Sequence, residues 1–320
     1  MTMPLMPYHA CYRRAVILAC AALATTSSAS AQSAFGEIDP DMPAIELPGL
    51  NQYAPTVPDG VMATDFRSVS LDARLVEGGE TISDGLVWRV FDSVPGRDGK
   101  LPLIASSEGG NAEFAFPPGD YFLHVAFGRA AVSKRLTVPA SGPVPPQSLT
   151  LNAGGLVLSA LSGEDMRIPP EDLTFSIYTA TPDLEGERGL IVADVRPDTV
   201  IRLNAGTYHV VSDYGAHNAS IRSDIHIEAG KLTEATIEHR AAELTLKLVS
   251  EPGGEAIADT AWSILTASGD PIGESVGAFS TIILAEGDYT AIARNKERVF
   301  QREFKVEAGR NTDVEVLMAE

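Results

Sequence analysis

An all-β chain built from three tandem antiparallel β-sandwiches of about seven strands each is what the sequence predicts, and three observations carry that prediction. A Gly-x-Tyr triplet launches a strand pattern three times, at Gly119-Asp120-Tyr121, Gly206-Thr207-Tyr208 and Gly287-Asp288-Tyr289, spaced by 87 and 81 residues. An aromatic residue inside an alternating run precedes each triplet, at Trp88, Phe175 and Trp262, and its spacing is 87 residues both times. Two markers that keep nearly one period identify an internal repeat, which sets the architecture that every later motif must fit. After residue 62, helix-period patterns are nearly absent while strand-period alternation recurs between Gly and Pro punctuation.

Residues 1–31 read as a secretory signal peptide. Arg13 and Arg14 supply the positive start, Ala15 to Ala24 an apolar run, and Ala29-Ser30-Ala31 a small-residue cleavage site before Gln32. A bilayer span needs about 20 apolar residues, so no transmembrane segment is expected here or later. Ile17-Leu18-Ala19-Cys20 also resembles a lipobox, but Arg14 stands close to Cys20 and Leu18 is bulky for its place, so lipoprotein anchoring at Cys20 is the lesser reading. Arg13-Arg14 lacks the polar and aromatic neighbours of a twin-arginine signal. Cys11 and Cys20 both fall within this segment, so the exported chain is expected to hold no disulfide, thiol nucleophile or thiolate metal site. The net charge is −19, and removing two arginines makes it −21. So acidic a surface repels phosphate backbones and anionic headgroups, which disfavours nucleic acid and membrane-surface partners.

Residues 32–62 carry Pro40, Pro43, Pro48, Pro55 and Pro58 with little periodicity, and read as a Pro-rich linker or arm. Ile45, Leu47, Leu50 and Tyr53 give that arm apolar contacts to offer. Repeat 1 covers 63–152, repeat 2 covers 153–241 and repeat 3 covers 242–320. Repeat 3 is the clearest, with Leu244, Leu246 and Leu248 alternating with Glu243, Thr245 and Lys247, followed by runs at Ala261 to Ala267, Phe279 to Leu284, Tyr289 to Arg294, Val299 to Val306 and Val314 to Leu317. The same order lies over the other two repeats, whose opening strands run near Ser68 to Leu75 and Leu156 to Leu161. Pro95 and Pro182 stand seven residues beyond Trp88 and Phe175, so the loops after the aromatic strands also align. Short linkers are expected at Asn152-Ala153-Gly154-Gly155 and at His239 to Ala242.

The strand period of two gives each marker its physical job. If Tyr121 faces inward then so do Leu123 and Val125, while Phe122 and His124 face out; Tyr208 and Val210 go in, and His209 out. Gly119, Gly206 and Gly287 are expected to supply a turn that a side chain would hinder. Tyr121, Tyr208 and Tyr289 are expected to bury their rings and return their hydroxyls to backbone carbonyls, as tyrosine corners do. Trp88, Phe175 and Trp262 are expected core anchors.

Repeat 3, with Leu244-x-Leu246-x-Leu248, Leu284-x-x-Gly287-x-Tyr289, Val306-x-x-Gly309 and a closing Val314-x-Val316, resembles the carboxypeptidase regulatory-like or transthyretin-like (prealbumin-like) seven-stranded sandwiches of exported bacterial proteins. The other repeats fit more loosely. The resemblance implies three Ig-like or transthyretin-like antiparallel sandwiches and says little about activity. Related Cna protein B-type domains can join first and last strands by a Lys-to-Asn isopeptide bond. Lys247 sits in an opening strand here, but Val314 to Met318 offers no Asn and Asn152 has no Lys opposite, so no crosslink is expected.

Candidate chemistry is sparse. Gly273-Glu274-Ser275-Val276-Gly277 matches a nucleophile elbow, yet no histidine follows His239 to take the serine proton, and the segment reads as a loop between strands. His209, His217, His226 and His239 cluster in repeat 2. A hairpin turning near Ala216 puts His209 opposite about residue 222, some 13 Å from His226, so these histidines read as solvent-facing rather than as metal ligands. Asp183, Glu185 and Glu187 alternate like the first oxygens of a calcium loop, but Arg188 and Asp194 occupy the places of its sixth-position Gly and twelfth-position Glu. No cofactor is expected, and no metal beyond that weak candidate.

The expected function is that of an exported, non-enzymatic spacer or protein-interaction module in the periplasm or at the cell surface, reaching about 100 Å at strand lengths of about 30 Å per unit. Its expected partner is another envelope or secreted protein. The alternative is a sandwich that binds carbohydrate or another ligand, with calcium or without, for which the outward aromatics Phe122 and Tyr178 speak.

Overall fold

The computed structural model describes residues 66–318; the predicted signal peptide, with Cys20, and the Pro-rich arm lie outside the described residues. Within 66–318 the chain is all-β, and the one helical element is a 3-10 turn at Pro170–Asp172. Repeat 1 supplies β1 (Arg67–Arg74), β2 (Leu86–Asp92), β3 (Leu103–Gly109), β4 (Ala112–Phe116), β5 (Gly119–Phe127), β6 (Ala130–Val138) and β7 (Gln147–Thr150). Repeat 2 supplies β8 (Ala153–Ser162), β9 (Met166–Arg167), β10 (Leu173–Thr179), β11 (Leu190–Val195), β12 (Ile201–Asn204), β13 (Gly206–Tyr214), β14 (Ser220–Ile227) and β15 (Leu232–His239). Repeat 3 supplies β16 (Ala241–Val249), β17 (Thr260–Thr266), β18 (Pro271–Val276), β19 (Phe279–Ala285), β20 (Gly287–Asn295), β21 (Arg298–Val306) and β22 (Thr312–Leu317).

Each repeat sorts its strands into two sheets. One is ordered β4-β1-β7, β12-β8-β15 or β19-β16-β22, with the two-residue β9 added to β8; the other is ordered β3-β2-β5-β6, β11-β10-β13-β14 or β18-β17-β20-β21. The alternation read from the sequence shows in the burial: β8 runs almost strictly buried at every second position, and β5 buries Tyr121, Leu123 and Val125. Residues from both sheets of a repeat meet in one apolar cluster, so three clusters form, around Trp88, Phe175 and Trp262.

Pairing is antiparallel except at one place in every repeat. The closing strand runs parallel to the opening strand: β7 on β1, β15 on β8 and β22 on β16. The cause is the route of the chain. The strand before each closing strand lies in the opposite sheet, so the chain crosses the sandwich instead of turning a hairpin.

The linkers are shorter than the sequence suggests. Ala153, Gly154 and Gly155 already belong to β8, and His239 and Ala241 to β15 and β16, leaving Leu151-Asn152 and Arg240 between strands. Gly154 and Gly155 serve close packing rather than flexibility. A Cβ on Gly154 would lie 2.2 Å from the Glu228 carbonyl oxygen, and one on Gly155 2.7 Å from Leu232.

Candidate interaction site

Each Gly-x-Tyr triplet forms a corner at the start of a core strand. The hydroxyls of Tyr121, Tyr208 and Tyr289 donate to the carbonyls four residues upstream, those of Pro117 (2.9 Å), Asn204 (2.8 Å) and Ala285 (2.9 Å). Of the three glycines, Gly206 alone has a positive φ, +149°. At Gly119 and Gly287 the space for a Cβ is bounded by the repeat's own tyrosine ring at 3.5 Å, an ordinary contact. Trp88, Phe175 and Trp262 are fully buried. The two indole NH groups donate to the carbonyls of Gly110 (2.8 Å) and Gly277 (3.0 Å), which closes the strand connection below them; Phe175 has no such donor.

The outer face of the four-stranded sheet offers the same position in every repeat for comparison. On repeat 1, Phe91 of β2 and Phe122 of β5 are cross-strand partners. The ten-residue loop 93–102 lies beside them, held by Asp92 (its Oδ1 accepts from Val94 N, 2.9 Å) and by a Gly96 N–Lys100 O bond of 2.8 Å. That loop sets Lys100 and Leu101 against the two rings, and with His124 and Ser133 they enclose an open depression of about 540 Å³ with almost no polar lining. His124 Nδ1 lies 3.0 Å from Ser133 Oγ. Burial, helped by Arg89 across the strand pair, holds the imidazole below its ordinary pKa, so it is neutral at pH 7.

Repeat 2 puts Tyr178 and His209 where Phe91 and Phe122 stand, and the matching depression is lined by Glu187, Arg188, Asp213 and Arg222 as well. In repeat 3 the pair is Leu265 and Thr290, and the loop shrinks from ten residues to four, 267–270. One scaffold thus presents an apolar and a charged version of the same face, and in repeat 3 a version in which Thr290 and the short loop border a polar depression.

The residues singled out for chemistry are dispersed. His209 faces Asp224 rather than residue 222 (Nδ1 to Oδ1, 2.7 Å), because the hairpin turn extends over 215–219; His226 faces Thr207, two positions along the sheet. His217 packs on repeat 3, where a Cβ on Gly273 would meet its ring at 2.7 Å. His239 is fully buried and not solvent-facing: its Nε2 meets Ser212 Oγ at 2.7 Å and its Nδ1 has no hydrogen-bond partner. Burial pushes its pKa down, and the nearby Asp213 carboxylate opposes this only in part. Tyr214, packed edge-on against it, is raised to about 12 by burial first and then by Glu243 and Asp172. Asp183 spends one carboxylate oxygen on the NH groups of Glu185 (3.1 Å) and Glu187 (2.8 Å), and no group of three metal-ligating side chains occurs among the described residues. Ser275 lies in β18, an edge strand rather than a loop, with its hydroxyl on that of Ser280. Lys247 pairs with Asp313 (2.5 Å) across the parallel β16–β22 pair.

Phe91 and Leu101 were not singled out in the sequence, and His124 was read only as facing outward. The signal for Phe91 was present: Trp88 inward puts Phe91, three residues on, outward. Leu101 reaches the site through a loop, which alternation does not describe.

With this geometry in hand, the similarities of the chain to known proteins are as follows. Residues 243–318 match the model of a Rhizobiales growth-associated tandem repeat domain. No curated protein matches. Among solved structures, the chain is similar to the Bacillus anthracis TIE protein (16% identity over 78% of this chain, TM-score 0.23), of which it spans 50%. It is similar to a Streptococcal ancillary pilin (12% identity, 79% of this chain and 99% of that one, TM-score 0.29) and to GBS52, the minor pilin of Streptococcus agalactiae (13%, 54% and 95%, TM-score 0.28). No helix among the described residues is long and apolar enough to cross a membrane.

Proposed function

We propose that this chain is an exported, non-enzymatic repeat protein that holds or recruits another protein in the periplasm or at the cell surface. Three sandwiches of the transthyretin-like or Cna protein B-like kind, bounded at 63–152, 153–241 and 242–320, follow a signal peptide cleaved before Gln32 and a Pro-rich arm. The observation that carries this reading is the twice-built junction. The hairpin tip of one repeat is pinned to the tyrosine corner of the next, by Asn204 to Ala131 N and O (both 3.1 Å) and by Asn218 to Tyr289 Oη (2.9 Å) and Ala285 N (3.0 Å). Repeats locked end to end present their outer faces in fixed register, which is what a spacer or scaffold requires. Ser275 supports the non-enzymatic part: its partner is a second serine, which is no general base.

In-cell crosslinking of the exported chain followed by co-purification tests this reading. Recovery of a defined envelope or secreted partner is the expected result; purification alone, together with turnover that disappears in Ser275→Ala, overturns it. N-terminal sequencing of the exported chain is expected to begin at Gln32. The second reading, a ligand-binding sandwich, is favoured by one observation, the apolar depression of repeat 1, and is tested by thermal shift with sugars and aromatic carboxylates.

A further inference from the structure

The depression on repeat 1 and the loop 180–189 of repeat 2 have complementary shapes and charges. Leu184 stands at the tip of that loop with 101% of its surface exposed, the most exposed large apolar side chain among the described residues. It is held out by design of the turn: Asp183 N donates to Glu187 O (2.7 Å), Gly186 N to Asp183 O (3.1 Å), and the Asp183 carboxylate caps two further NH groups. An aliphatic knob so fixed pays little ordering entropy on burial. Carboxylates adjoin it in the chain, Asp183 before it and Glu185 and Glu187 after it, all exposed.

The depression is the converse object. Its floor is Phe91, Phe122 and Leu101, an apolar surface with room for a leucine side chain and its neighbours, and its rim carries Lys100 with Arg89 and Arg135 on the same face. Asp120 is engaged by Arg135 (2.9 Å) and Thr137, which holds its carboxyl below the ordinary range, and Asp98 caps Lys100 N. Repeat 1 is also the one nearly neutral part of an acidic chain: residues 66–152 hold eight Lys and Arg against nine Asp and Glu, while 153–241 hold seven against fourteen. An acidic loop therefore meets least repulsion here.

We infer that the occupant of this depression is a second copy of the chain, with Leu184 seated between Phe91, Leu101 and Phe122 and with Glu185 and Glu187 against Lys100 and Arg89. This rests on the interaction-module reading and adds self-association to it. Made reciprocally the contact closes a dimer; made once per pair it extends head to tail. The contact is small, below about 1,200 Å², so the association is transient.

Sedimentation velocity of the exported chain across a concentration series, at low and high salt, tests this. Concentration-dependent association that weakens several-fold when ionic strength rises about tenfold is expected. Leu184→Asp is expected to weaken it at least tenfold without shifting the unfolding midpoint, since Leu184 contacts nothing it must fold against. Lys100→Glu does the same from the other side. A labelled peptide of residues 180–189 is expected to bind the intact chain and its Leu184→Asp form is not. A monomer at every concentration, or association indifferent to Leu184, overturns the inference, while the co-purification above reads the module proposal independently. A thermal shift with an aromatic carboxylate and no self-association also overturns it, in favour of a small-molecule site.

Discussion

The junction between repeats 1 and 2 and the junction between repeats 2 and 3 share two backbone bonds; the first adds a third, Arg129 N to Arg202 O (3.0 Å), and the two differ in the side chains packed on them. At both, the NH before the corner glycine donates to the linking residue, Ala205 to Asn152 (2.6 Å) and Glu286 to Arg240 (2.7 Å), and a glycine NH returns to the opening strand, Gly230 to Ala153 and Gly309 to Ala241. Pro118 occupies that corner position in repeat 1 and has no NH to give. Beyond this frame the first junction is polar and partly exposed, with Asn204 and an Arg202 guanidinium 4.3 Å over the Phe127 ring. The second is buried: Ile283 of repeat 3 belongs to the core of repeat 2, and His239 and Ser162 are fully enclosed beside it. Backbone bonds decide where repeats meet, and side chains decide how firmly. Repeats 2 and 3 are therefore expected to unfold together and repeat 1 separately, seen as two transitions in calorimetry.

Replacing the hairpin-tip glycines tests that difference most severely. Gly215 has a φ of +73°, and a Cβ there would lie 2.8 Å from Ile283, which its core neighbours hold in place. Gly215→Val is expected to cost about 3 kcal/mol, from the left-handed backbone and the overpacking together. Gly128→Val has a similar backbone cost and a slightly milder contact, 3.0 Å from the Cβ of Arg202, an exposed residue rather than a core one. Denaturant unfolding is expected to show the larger loss in the transition of repeats 2 and 3. Equal losses in both transitions would erase the distinction.

The asparagines reverse the order. Asn204 makes three bonds, to Ala131 N, Ala131 O and Leu151 O, and Asn204→Ala strands a half-buried donor and acceptor, at a cost of about 2 kcal/mol. Asn218 makes two and is exposed, so water takes over and Asn218→Ala costs about 1 kcal/mol. Hydrogen exchange at the amides of Ala131 and Ala285 reports each loss where it occurs.

Acid separates the junctions next. His239 is buried neutral, with a folded pKa below its unfolded value of 6.5. Its contribution is fully present above that value and declines as pH falls from about 6.5 toward the folded pKa, because the unfolded chain then binds more protons, by up to about 1.4 kcal/mol per pH unit. The transition of repeats 2 and 3 is expected to lose stability between pH 6.5 and 5 more steeply than that of repeat 1, whose His124 is lowered in the same direction but is only half-buried. His239→Gln is expected to flatten the difference; an unchanged slope in that variant assigns it to carboxylates instead.

The sequence made the corners and core aromatics legible because both depend on contacts within one repeat, where period two and a fixed turn suffice. His239 was legible in principle: Ile237 points inward, so the second residue on does too, and the burial pattern of β15 follows that rule. What stayed hidden depends on distant pairing. The parallel closing strands follow from which sheet each strand joins, and Asn204 and Asn218 act on residues 67 to 73 positions away in the neighbouring repeat. The histidine register failed by two residues because the hairpin turn was longer than a tight turn allows. Leu184 went unremarked among Asp183, Glu185 and Glu187, since nothing local says that Asp183 would fold the turn beneath it.

The smallest effect discriminates by its salt dependence. Arg202 meets Phe127 through the face of the ring, so its energy comes from the quadrupole and from contact, and Arg202→Ala is expected to cost about 0.5 to 1 kcal/mol. Arg240 meets Glu286 as an ion pair (2.6 Å) whose partners are 72% and 31% exposed, and Arg240→Ala is expected to cost at most about 0.5 kcal/mol. Both remove one arginine, so any effect of net charge cancels between them. The ion pair is screened at about 0.5 M salt, where the Debye length has fallen well below 10 Å, whereas the ring contact persists. Repeating both measurements at low and high salt is therefore expected to abolish the penalty at the second junction and leave most of it at the first. If the Arg202 penalty also vanishes with salt, its partner is a carboxylate and the first junction is electrostatic after all.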